Sequence, residues 1–156
     1  MIELDESDYE PLSHFRLLWR WASPRHAELP ANVLECIRPI ADARAGLIDE
    51  YAMRVVEHGR LKPESFRDLR RIETGREDES AVSDWLVALP VPGDESVIVS
   101  WDAQTAVTAP FGLVVKYWSD FFYPASDDAA VIPRRTDWML VWHHLESFEF
   151  GIPSQS

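Results

Sequence analysis

The stretch "SVIVSW", residues 96–101, constrains the fold more than any other part of the chain. Its centre, Val97, Ile98 and Val99, is β-branched and apolar. Branched side chains lose rotamer freedom in a helix and pack well on a pleated surface, so the segment extends. A turn cluster, "PVPGDE", precedes it, "DAQ" follows as a short connection, and "TAVTA" can return as its hairpin partner. Further strands are expected at "AAVI" and "DWMLVWHH", joined by "PRRTD", and a last short one at "SFEFG". Alternation along residues 138–144 puts Trp138, Leu140 and Trp142 on one face, read as the core face. "DWLVALP", residues 84–90, also reads as a strand. So does "HFRLLWRWAS", where Phe15, Leu17, Trp19 and Trp21 alternate with other residues.

Helical signals concentrate in the first half. Asn32 can cap a short segment that Pro39 interrupts. Ile40, Leu47, Ile48, Tyr51, Ala52, Val55 and Val56 then recur at helical spacing, ending near Gly59. In "KPESFRDLRRIETG", Pro63 fits a first turn, Phe66, Leu69 and Ile72 line one face, and Gly75 closes a second helix. Pro110 opens a third, with Phe111, Val114, Val115, Trp118, Phe121 and Phe122 on its apolar side. The expectation is a single α+β domain over residues 1–156. It has a helical N-terminal half and, in the C-terminal half, a mainly antiparallel sheet with one further helix. The first ten residues are expected to be loosely ordered.

Hydrophobic residues at 46% and aromatics at 12% exclude a mainly disordered chain. No apolar run is long enough to cross a membrane, and "MIELDESDYE" lacks the pattern of a signal peptide. A cytoplasmic protein is expected. Cys36 is the only cysteine, which excludes an internal disulfide and a cysteine zinc cluster, and it reads as a small buried apolar residue. The net charge is −12, with 17 acids against 12 bases in residues 1–79 and 10 against 3 in residues 80–156. Such a surface repels nucleic acid and anionic lipid and attracts a basic protein or metal cations. No phosphate-binding glycine loop, nucleophile elbow or zinc-protease signature occurs, and no cofactor is expected.

The chemistry concentrates in "FFYPASDDAAVIP" and "HHLE". Asp127 and Asp128 follow an aromatic, proline-containing helix end. Aspartates are favoured in such turns because they accept backbone N–H bonds. A metal-dependent hydrolase using Asp127, Asp128, His143, His144 and Glu146 is the alternative, although on a strand His143 points away from His144 and Glu146. Most of the seven tryptophans belong to the core, and aromatics left outside among acids would anchor a protein partner.

Taken together, "SVIVSWDAQTAV", "KYWSDFFYPASDDAAVIP" and "DWMLVWHHLESFEFG" resemble small acidic bacterial proteins that accompany secreted toxins as immunity proteins. The resemblance spans residues 96–151, and "RHAELP" is faintly similar too. It implies a non-enzymatic inhibitor of a cognate toxin and carries no catalytic motif with it. On that reading, Asp102, Asp120, Asp127, Asp128, Glu146 and Glu149 are the electrostatic contacts, and Trp101, Tyr117 and Tyr123 the anchors. A regulatory or scaffold module with an acidic surface is the remaining alternative.

Overall fold

A computed structural model describes residues 2–154. Its frame is one seven-stranded, fully antiparallel sheet in the order β1-β6-β5-β7-β8-β9-β4. The strands are β1 (Arg38–Pro39), β4 (Phe66–Glu73), β5 (Ser96–Asp102), β6 (Thr105–Pro110), β7 (Ala129–Pro133), β8 (Met139–His143) and β9 (Ser147–Pro153). A separate small hairpin pairs β2 (Val56–Glu57) with β3 (Arg60–Leu61). The helices are short: α1 (Ala31–Leu34), α2 (Asp42–Met53), α3 (Glu79–Val87), α4 (Phe111–Lys116) and α5 (Trp118–Phe121).

The strands read from "SVIVSW" to "SFEFG" are all present. β5 lies between β6 and β7, and Val97, Ile98 and Val99 are fully buried. Trp138, Leu140 and Trp142 face the larger core, as their alternation predicts, together with Phe148, Phe150 and the aromatics of α4 and α5. Met139 and Val141, on the other face of β8, join a second core with Ile98 and with Ala45, Ile48 and Ala52 of α2. The sheet is therefore covered on both sides: by α2 and the β2–β3 hairpin on one, and by α3, α4, α5 and the N-terminal turns on the other.

The helical N-terminal half is overturned, and with it the α+β division of the chain. The domain is dominated by its sheet, and the first half supplies both of that sheet's edges. The segment read as a second helix is β4, the eight-residue edge strand against β9. Its register jumps between Arg67 and Arg70, where Asp68 takes a φ of 52°. With that extra residue, Phe66 faces the core under α2, Ile72 packs on the opposite core and Leu69 is exposed, so their three-residue spacing marks no common face. The exposed arginines and acids of β4 suit an edge, since charge discourages pairing with another chain.

"DWLVALP" is helical over its first four residues, not extended. Asp78 caps α3, its carboxylate accepting the Ala81 amide at 2.8 Å, so this segment begins inside a helix. "HFRLLWRWAS" forms successive 3₁₀ turns rather than a strand. The alternation was misleading, because Trp21 is fully buried while Trp19 is 43% exposed. Residues 2–10 make defined contacts with the rest of the fold. A capped 3₁₀ turn at Glu6–Asp8 and a bridge from Tyr9 to Ile40 tie them to β1. Cys36 is exposed, not buried. No helix among the described residues is long and apolar enough to cross a membrane.

Candidate functional site

Adjacent aspartates in a turn point in opposite directions, and these two have different tasks. Asp127 is 7% exposed and meets Arg20 in a two-pronged pair at 2.5 and 2.9 Å. It also accepts the Tyr123 amide at 2.9 Å and the Ser126 hydroxyl at 3.2 Å. The Arg20 guanidinium lies 4.0 Å from the centre of the Tyr123 ring, so the turn, the ion pair and the tyrosine form one unit. This removes Asp127 from both the surface contacts and the metal ligands expected from the sequence.

Asp128 faces the other way. Its Oδ1 accepts the His144 amide and approaches His144 Nδ1, both at 2.9 Å. Burial alone would raise its pKa, but the His144 backbone and ring hold it below the usual carboxylate value. His143 is buried beside it, and its Nδ1 accepts the Leu145 amide at 3.1 Å. Burial first, then the nearby Arg60 charge, push the His143 pKa down, favouring the neutral ring. The three-residue loop from β8 to β9 sets this geometry: Glu146, at φ 67°, returns its amide to the His143 carbonyl at 2.9 Å. The tight turn of the β2–β3 hairpin presses on the group from outside. Gly59, at φ 74°, lies so close that a Cβ there would sit 2.9 Å from His143 Cδ2 and 3.0 Å from Asp128 Cγ.

Asp128, His143 and His144 bring three potential ligand atoms within 4.8 Å of one another, the one such grouping among the described residues. Two carboxylate-flanked imidazoles are chemically fit for a transition metal. The rings, however, stack 4.3 Å apart with their planes 26° from parallel. A metal lies in the plane of each imidazole that binds it, and two nearly parallel planes do not meet at one ion, so a ring would have to turn.

From Asp128 a cleft of about 240 Å³ runs between α2, the end of the β5–β6 hairpin and the start of β7. Asp49, Asp102 and Asp128 supply its charge. Ala52, Met53, Val56, Trp101, Ala103 and Ala129 supply much of its apolar wall, and no basic residue lines it. Among the described residues neither Asp49 nor Asp102 forms a salt bridge, and Asp128 has only His144. Burial, then the neighbouring Asp102 and Glu50 charges, raise the pKa of Asp49. A β-bulge shapes the floor: Trp101 is the extra residue where Ser100 and Asp102 face Ala106 and Thr105.

Of the residues expected at a partner surface, the fold gathers Trp101, Asp102 and Asp128 at this cleft. The others lie apart. Glu149 is spoken for by Arg60 at 3.3 Å, Arg71 at 3.1 Å and the Leu61 amide. Glu146 is exposed and packs toward Gly75. Asp120 sits half-buried on α5, where burial and then Glu79 raise its pKa. Tyr117 is partly buried beside Lys116, and Tyr123 belongs to the Arg20 unit. The Trp101 indole N–H bonds the Phe121 carbonyl at 3.0 Å and its ring packs beside Phe15, Trp21 and Phe121, so it is not a free anchor.

No protein-family model, curated protein or solved structure matches this chain.

Sequence reasoning missed Arg20, Asp49, Gly59 and Ser100. Only Gly59 carried a local signal, as the second residue of "HG" between two short apolar segments. The others acquire their roles from contacts made across the sheet.

Proposed function

We propose that the chain is a non-enzymatic immunity protein that binds a cognate bacterial toxin and blocks it, docking the acidic cleft face on a basic surface. The observation that carries this reading is the division of the carboxylates. Asp127 and Glu149 are matched by arginines, whereas Asp49 and Asp102 are left without cations around an apolar-walled hollow. Unmatched charge beside apolar surface gives a partner both steering and contact area. The net charge of −12 adds long-range attraction for a basic partner, faster at low salt.

The test is co-expression with the protein encoded beside this one, followed by size measurement and stopped-flow association. A one-to-one complex is expected, with association slowed by added salt and by Asp49→Lys or Asp102→Lys. Absence of a complex, or an association rate indifferent to both changes, would overturn the reading.

A second reading rests on the proximity of Asp128, His143 and His144. A metal-dependent hydrolase would carry about one equivalent of metal after purification without chelator. Metal well below that level, by elemental analysis, removes it.

A further inference from the structure

We propose that the Asp49–Asp102–Asp128 cleft is a receptor for one arginine side chain of the partner protein, with Ser100 as the hydrogen-bonding group at its floor. The inference deepens the partner-binding reading and rests on it.

Three observations converge. The first is Ser100. It is only 3% exposed, it lines the cleft, and its hydroxyl makes no hydrogen bond among the described residues. Its oxygen is not fully enclosed, so it opens to the cleft, where it can donate and accept. Its position in β5 accounts for its direction: Ile98, two residues earlier, belongs to the core under α2, so Ser100 faces the same side.

The second is the spacing of the acids. Asp49, Asp102 and Asp128 do not converge to within 4.8 Å as a trio, because the only described grouping of that kind is Asp128 with the two histidines. The three carboxylates therefore do not together close on a single metal ion. They suit a cation with several N–H groups spread over a plane, and a guanidinium offers five donors in a fixed fork. Asp102 keeps acceptor capacity for this, since only its Oδ1 is engaged, by the Gln104 amide at 2.8 Å.

The third is the wall and the size. Ala52, Met53, Val56 and Ala130 line the same hollow as the acids, and Ala52, Val56 and Ala130 belong to the core under α2. An arginine stem is apolar and its head is charged, so the cleft matches the side chain along its length. At about 240 Å³ the cleft is smaller than the roughly 300–1,000 Å³ usual for free small-molecule ligands. A single side chain delivered by a folded partner fits that scale.

The experiment is an NMR titration of the intact protein with N-acetyl-arginine amide and, separately, with the citrulline counterpart. Citrulline has the same shape without the charge. Arginine is expected to bind at about millimolar affinity, shifting the amides of Met53, Gly59, Trp101 and Ala103. Citrulline is expected to bind at least tenfold more weakly. Asp49→Asn with Asp102→Asn should weaken arginine about tenfold or more, and Ser100→Ala by a smaller factor at unchanged fold. Equal response to arginine and citrulline, shifts located elsewhere, or no response at tens of millimolar would each overturn the inference. The titration needs no partner. A toxin complex that forms while arginine ignores the cleft removes this inference alone, and bound arginine without any toxin complex removes the wider reading alone.

Discussion

Arg20 and Asp127 stand 107 residues apart in the chain and meet in a two-pronged ion pair with almost no solvent contact. The pair fastens the 3₁₀ turns of the N-terminus to the turn that ends α5. Arg20 also reaches the Phe121 carbonyl at 3.4 Å, while its Nε has no partner among the described residues. Removing one member of a buried pair strands the other charge, which costs about 3–5 kcal/mol. Asp127→Ala should lose about that much in urea unfolding. Adding Arg20→Met should recover a substantial part, because the stranded charge is gone. A double variant that loses the sum of what Asp127→Ala and Arg20→Met lose separately would show that the two residues are not coupled.

Glu95 is fully buried and is held by donors from the β7–β8 loop. It accepts the Arg135 amide at 3.2 Å, the Thr136 amide at 2.9 Å, the Thr136 hydroxyl and the Trp138 indole N–H at 3.4 Å. Burial pushes its pKa up, but the Thr136 hydroxyl and the amides outweigh it and leave the pKa below the ordinary glutamate value. A carboxylate whose folded pKa is depressed contributes stability above its unfolded pKa, and that stability is lost as pH falls through the folded value. Glu95→Gln places an amide donor where donors already converge. It should cost about 1–3 kcal/mol at neutral pH. The gap to the parent protein should narrow in chemical melts as the pH is lowered below the glutamate range. A gap independent of pH would mean that the charge of Glu95 contributes nothing.

Two glycines should respond in opposite directions to alanine. Gly59 combines a φ of 74° with close contact to His143 and Asp128. Left-handed backbone costs an L side chain about 1–2 kcal/mol, and the contact adds to it. Gly59→Ala should therefore destabilise the fold and shift the His143 and His144 ring resonances. Gly46 lies within α2, where an added Cβ would meet only the Ala103 carbonyl at an ordinary 3.5 Å. Gly46→Ala should stabilise by about 0.5–1 kcal/mol. Thermal melts of the two variants decide both.

What the sequence discloses follows the range of the interactions involved. The strands from β5 to β9 are legible because their burial repeats within a few residues, as in Trp138, Leu140 and Trp142. β4 is not: its bulge at Asp68 shifts the register, Phe66 and Ile72 face opposite cores and Leu69 is exposed, so no two-residue period is left to read. "DWLVALP" lacks the start signal of its own helix, which lies upstream at Asp78. For the site, the Asp127–Asp128 turn is legible, but its division of labour is not. Which aspartate turns inward depends on Arg20, and which hollow the other borders depends on α2 crossing β5. Ser100 looks like one polar residue in an apolar strand until α2 and the bulge at Trp101 make a cleft of its surroundings.

That cleft holds charge at the expense of stability, and Asp49 measures how much. Its pKa is raised by burial and by the charges of Asp102 and Glu50. An acid with a raised folded pKa favours the fold while it is protonated, and that contribution is lost as pH rises through the folded value. At neutral pH the Asp49 carboxylate therefore works against folding, and Asp49→Asn should stabilise by about 0.5–1 kcal/mol, the usual yield of relieving an unfavourable charge. The gain should shrink as the pH falls through the carboxylate range, where the parent residue is itself neutral. The same variant should bind arginine less tightly. Greater stability together with weaker binding is the signature of a residue kept for recognition. A destabilised Asp49→Asn at pH 7 would instead show that the carboxylate has a stabilising partner, and that the cleft is not the reservoir of unmatched charge described above.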